Sequence, residues 1–244
     1  MYCFCGRPAR ESGFCEYHDP QCVRDPKCRA KLVFTPSCER CHLPGGEASG
    51  IAPRLRETHI HGPLVVETVV GDVELEGARG VDVYIYSVRG VVNMKGAKFR
   101  HVYVDGVVGG VEMAGARVES AVVVDVLGGV NLDGVRAGGH VYVGWASSLS
   151  ARGASVAGEL VVERAKGGVA AAGARAYSLT VYRAGGVVDL SNAVVEGDIF
   201  IVEVVGDRLD LSGAEVGGRV YIMESRFGGV RVDKADLFKR VVVL

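Results

Sequence analysis

The sequence predicts an all-β fold, a single-stranded parallel β-helix solenoid of about 20 residues per coil with a small cysteine-rich domain at its N-terminal end. Three observations predict it. A small-residue step recurs at Gly77-Ala78, Gly96-Ala97, Gly115-Ala116, Gly134-Val135, Gly153-Ala154, Gly173-Ala174, Asn192-Ala193, Gly213-Ala214 and Lys234-Ala235, at intervals of 19 to 21 residues. Between these steps apolar and polar residues alternate with period two and β-branched residues dominate, as in Val220-Tyr221-Ile222 and Leu209-Asp210-Leu211, which is strand patterning. All seven cysteines fall within the first 41 residues, whereas Val, present only at Val23 and Val33 before residue 60, dominates afterwards. A unit this short has no room for a strand, a helix and two connections, so each strand must pair with its equivalent one coil later. The expected organisation is therefore a cysteine module over residues 1–44, a linker and cap over 45–63, and the solenoid over 64–244.

The cysteines of the head form pairs: Cys3-x-Cys5, Cys15-x-x-His18, Cys22-x5-Cys28 and Cys38-x-x-Cys41. With His18 they make eight donors, the number that closes two tetrahedral zinc sites, and a segment with so few large apolar side chains needs a metal to fold. The alternative is a disulfide framework, which the odd number of cysteines disfavours. Sequential pairing joins Cys3, Cys5, Cys15 and His18 on one ion and Cys22, Cys28, Cys38 and Cys41 on the other; a cross-brace joins the first pair to the third and the second to the fourth. Four protein ligands per ion leave no open position for catalysis. His42 is a spare ligand or an exposed loop histidine. The run from Cys3 to His18 resembles zinc-ribbon and treble-clef knuckles, differing in the single residue between Cys3 and Cys5.

In the repeat, Leu211-Ser-Gly-Ala-Glu-Val-Gly-Gly-Arg-Val-Tyr-Ile222 resembles the Leu-Ser-Gly-Ala-x-Ile-Gly-Gly-x-Leu-x-Leu coils of pentapeptide-repeat-like proteins. A more distant likeness is to bactofilin-type β-helices, which polymerise end to end. The resemblance implies a narrow right-handed helix lined by small and branched apolar side chains.

Stacked coils turn equivalent residues into columns spaced about 4.8 Å apart. The strand after the small-residue corner yields Val65, Tyr84, Tyr103, Val123, Tyr142, Val161, Thr180, Phe200, Tyr221 and Val242, an uncharged column whose neighbours, such as Val83 and Ile85, point inward. Tyr84, Tyr103, Tyr142, Phe200 and Tyr221 are its candidate contacts for a protein partner or a second copy; the plainer reading is β-propensity on an exposed strand. The strand before the corner gives Glu74, Asn93, Glu112, Asn131, Ser150, Ala170, Asp189, Asp210 and Arg231, a solvated face. A third column, Arg79, Lys98, Arg117, Arg136, Ser155, Arg175, Val194, Glu215 and Asp236, stacks like charges, which need interleaved acids or a polyanion. Arg79, Lys98, Arg117, Arg136 and Arg175 are its candidate nucleic-acid contacts, with Glu74 and Glu112 available for compensation.

The formal charge of −1 gives no global attraction to nucleic acid or membrane. The start has no apolar signal-type region and no run of eighteen apolar residues occurs, which points to a cytoplasmic protein without a membrane span. Only Gln21, Asn93, Asn131 and Asn192 are amides, a composition compatible with a thermophilic source. No nucleophile and base share a local spacing; His101 and His140 lie two coils apart, His59-x-His61 offers only two ligands, and the Gly-Gly steps lack a phosphate-loop lysine. The final Val241-Val-Val-Leu244 lacks a polar cap and is expected to pair with another copy. The functional expectation is a non-enzymatic scaffold, zinc-stabilised and self-associating or partner-binding; the alternative is an RNA-binding or ribosome-associated factor using the head and the basic column.

Overall fold

The computed structural model describes residues 8–11, 13–16, 19, 27 and 34–244. It is a parallel β-solenoid of about 11 turns with coils near 19 residues. Each strand pairs in parallel with its equivalent one coil later, as Leu64–Val70 does with Asp82–Arg89 and that strand with His101–Val107. The pairing begins before residue 64: Gly46–Ser49 adds to Leu64–Val70, and His42–Leu43 pairs with His59–Ile60. Residues 45–63, expected as linker and cap, thus contribute strands of their own.

The repeating step has a direct physical cause. At every predicted step but the last its first residue takes a positive φ, as at Gly77 (65°), Gly134 (64°) and Asn192 (55°), a conformation that glycine enters freely and asparagine tolerates; at Lys234-Ala235 the φ of Lys234 is −91° and a short helix replaces the turn. The amide after it closes a tight turn, Ala78 N to Leu75 O at 3.0 Å and Ala97 N to Met94 O at 3.1 Å. The following Ala or Val then points into the core, where Ala78, Ala97 and Val135 are all buried. At the N-terminal end charged residues fill the same position, Arg40 with φ 54° and Glu57 with φ 53°.

Alternation does the rest. Val83, Ile85, Val102 and Val104 are buried and belong to one continuous core running the length of the solenoid. Leu75, Met94, Met113, Leu132, Leu190 and Leu211 fill it from the turn side. A short helix, Ala235–Phe238, interrupts the last coil and buries Leu237. Arg240 then donates to the carbonyls of Val216 and Gly217 at 2.7 and 2.8 Å, and strand Val241–Val243 pairs with Val220–Met223. No helix among the described residues is long and apolar enough to cross a membrane.

Candidate functional site

The three columns are real ladders. The basic column is in register from Arg79 through Lys98, Arg117, Arg136, Ser155, Arg175 and Val194 to Glu215. It also extends backwards, since His59 bridges to Arg79 and His42 pairs with His59. Among the described residues Arg40, Arg56, Arg100, Arg152, Arg183, Arg208 and Arg231 all make ion pairs. Arg79, Lys98, Arg117, Arg136 and Arg175 make none among the described residues. The acids expected to compensate them are engaged elsewhere: Glu74 accepts from Asn93 Nδ2 and Glu112 from Asn131 Nδ2, each at 3.0 Å.

That polar column, in register from Glu74 to Arg231, is more than a solvated face. Asn93, Asn131, Asp189 and Asp210 accept, through Oδ1, the amide two residues on at 3.0 to 3.2 Å, bracing the tight turn beside each. Hydrogen bonds from the Ser212 hydroxyl, helped by its amide, hold the Asp210 carboxyl below the ordinary range.

The uncharged column also stands, with one correction. Tyr103 pairs in register with Val122, and Val123 is fully buried; the column reads Val65, Tyr84, Tyr103, Val122, Tyr142, Val161, Thr180, Phe200, Tyr221 and Val242. Every one of these side chains is partly exposed. Phe200 stacks on Tyr221 with centroids 5.2 Å apart, and Tyr103 meets Tyr86 at 5.5 Å. Acids rim the column. The Tyr142 hydroxyl donates to Glu163, which with burial pushes its pKa up to about 12. Burial, with Asp105 nearby, raises Tyr103, and Tyr182 in the adjacent column donates to Glu203.

At the N-terminal end the ladder brings three histidines together. The ligand nitrogens of His42, His59 and His61 all lie within 4.8 Å of one another, with His42 Nδ1 and His61 Nε2 at 2.9 Å. The rings stack: 59 on 61 at 4.4 Å between centroids, 42 against 61 at 5.1 Å. His42 and His59 share a rung, and His61 lies two residues along on the same face, its amide donating to Leu43 O at 2.9 Å. Burial holds the His42 imidazole below its usual pKa, His59 adding to the effect and Asp19 opposing it; burial and then Arg79 lower His59. Both shifts favour the neutral ring, the form of imidazole that ligates a cation. Spacing alone left His42 a spare and His59 with His61 an incomplete pair; the fold joins them.

Of the cysteine donors, Cys3, Cys5, His18, Cys22 and Cys28 lie outside the described residues. Cys15, Cys38 and Cys41 are buried. Cys38 and Cys41 bring their sulfurs together, with Cα atoms 6.1 Å apart, as a disulfide or a shared ion requires. Cys41 Sγ also contacts Thr58 Oγ1 at 3.7 Å inside the core. The solenoid histidines have structural partners: His101 Nδ1 bonds Ser120 Oγ at 2.8 Å, and His140 Nδ1 accepts the Glu159 amide at 3.1 Å.

No protein-family model, no curated protein and no solved structure matches this chain. The likeness to pentapeptide-repeat and bactofilin-type coils therefore rests on the motif in residues 211–222 alone, and the fold itself defines the class: a parallel β-solenoid repeat protein.

Proposed function

We propose that the chain is a non-enzymatic scaffold whose cysteine head is stabilised by zinc and whose β-solenoid holds a protein partner, or a second copy of itself, against the aromatic column. One observation carries this reading: from Val65 to Val242 ten successive outward positions in register hold no charge, while carboxylates rim them at Asp105 and Glu163. An aromatic surface with acidic edges suits a partner with basic edges, and a second copy carries one in its own ladder. Rigid columns at strand spacing present such a surface without an ordering cost. The test is the triple substitution Tyr103→Lys, Tyr142→Lys and Tyr221→Lys, read by sedimentation and by capture of partners. Loss of association at unchanged circular dichroism supports the reading, and unchanged oligomeric state and partners refute it.

A second reading has its own observation. Five cations on one face make no ion pairs among the described residues, and a phosphate backbone would supply the counter-charge, so RNA is the alternative occupant of that ladder. Here binding falls steeply with salt, and removing Arg117 and Arg136 lowers the slope by about 2.

A further inference from the structure

We propose that His42, His59 and His61 bind one divalent transition-metal ion of the zinc class, at a site separate from the cysteines. The donor set suits such an ion, since imidazole nitrogen is a ligand for zinc, cobalt, nickel and copper. The geometry is close to what binding needs. A tetrahedral ion with metal–nitrogen bonds of about 2.0–2.1 Å holds its nitrogens about 3.4 Å apart. The 2.9 Å pair therefore opens by about 0.5 Å, and the widest separation, within 4.8 Å, closes by at most about 1.4 Å. Side-chain rotation supplies both movements without disturbing the strands.

The backbone beneath is fixed. His42 and His59 occupy one parallel rung, and the residues after them, Leu43 and Ile60, are 0% and 1% exposed in the core. Ligands mounted on a packed ladder need little ordering when the ion arrives. Separation from the cysteines follows from strand geometry: Cys41 points inward to Thr58, and its neighbour His42 points outward. The next rung beyond His59 is Arg79. Imidazole ligates as a neutral group, which leaves the ion its full double charge facing that guanidinium, so a water, hydroxide or small carboxylate is the fitting fourth ligand.

The experiment uses the full chain, freed of metal and reloaded with Zn2+ or Co2+. His59→Gln and His61→Gln are compared with wild type and with His140→Gln; His59 is exposed, so its exchange leaves the fold intact. The expected result is one fewer zinc equivalent in each of the two cluster variants, affinity at that site at least about 100-fold weaker, and wild-type content in His140→Gln. In the cobalt protein the same equivalent shows visible ligand-field bands without thiolate charge transfer. Equal zinc content in all four proteins overturns the site, as does cobalt binding that shows thiolate charge transfer at every equivalent. The outcome is independent of whether the aromatic column holds a partner.

Discussion

Two glycines in one strand-turn segment separate the steric demand of coil stacking from the conformational demand of the turn. A Cβ placed on Gly128 would lie 2.0 Å from the carbonyl oxygen of Gly109 and 2.5 Å from its carbon, in the coil beneath. The same column repeats at Gly109, 2.2 Å from Gly90 O, and at Gly90, 2.3 Å from Gly71 O. Alanine at 128 thus forces two backbones apart by about 1 Å, the difference between the built contact and the 3.0 Å that real contacts respect. The flanking Val126 and Val130, 0% and 2% exposed, are held by that pairing and move with it. Losing one or two buried ladder bonds at about 1–3 kcal/mol each puts Gly128→Ala near 3 kcal/mol. At Gly134 φ is 64° and nothing lies within 4 Å of the new carbon, so Gly134→Ala costs only the left-handed backbone, about 1 kcal/mol. Urea unfolding followed by far-ultraviolet circular dichroism and by the fluorescence of the single Trp145, one coil on, measures both. The Gly128 variant should show the lower midpoint by a margin of about 2 kcal/mol. Equal losses in the two variants would refute the stacking argument.

Three further outcomes are expected. Val123→Lys should destabilise the chain by several kcal/mol because Val123 is fully buried, whereas Val122→Lys, outward in the same strand, should stay within about 1 kcal/mol; a reversed order would restore Val123 to the column. Tyr142 should ionise near pH 12 in an ultraviolet titration, and Glu163→Gln should bring it back toward about 10. Since the folded value is the higher one, the stabilisation is complete below about pH 10 and disappears as pH rises through about 12. Arg117→Glu, placed between Lys98 and Arg136, should raise stability by about 0.2–1 kcal/mol at low salt, with the gain shrinking as salt is added; a loss would mean the ladder is already compensated.

The columns were legible because coil length is nearly constant once the turn residue is found. Gly-Ala marks a positive φ followed by a small core residue, and counting from it places Arg79 to Glu215 and Glu74 to Arg231 correctly. Counting failed at Ala121-Val-Val-Val124, where no polar residue marks the outward side and a step of one exchanges core for surface. The first coil was hidden for a related reason. Glu57-Thr58 and Arg40-Cys41 occupy the step there, and a charged residue in the left-handed region has no sequence signature. The histidine cluster was missed with it, because His42 and His59 share a rung at a spacing of 17, shorter than the period that links the later coils. The interval of 19 from His42 to His61 was the available clue. The column already set Glu74 beside Asn93 and Glu112 beside Asn131, but that these carboxylates would bond the amides and not the cations depends on which side chains meet across the half-buried rungs.

A solenoid converts a linear period into surface stripes, so chemistry that is scattered in sequence becomes continuous in space. Here one stripe is aromatic with acidic rims, one is polar and used in bracing turns, and one is basic, without ion pairs from Arg79 to Arg175 among the described residues, and ends in the histidines. Among the described residues the first and third are complementary in charge. An RNA backbone and the acidic rim of a second copy would therefore compete for the same cations. Under the scaffold reading a polyanion dissolves the assembly, and the Tyr142 face becomes accessible as it does so. Under the RNA reading the polyanion binds the isolated chain and Tyr142 is unaffected. Accessibility of Tyr142 across a polyanion titration thus decides between two uses of the basic stripe that stability alone would leave equivalent.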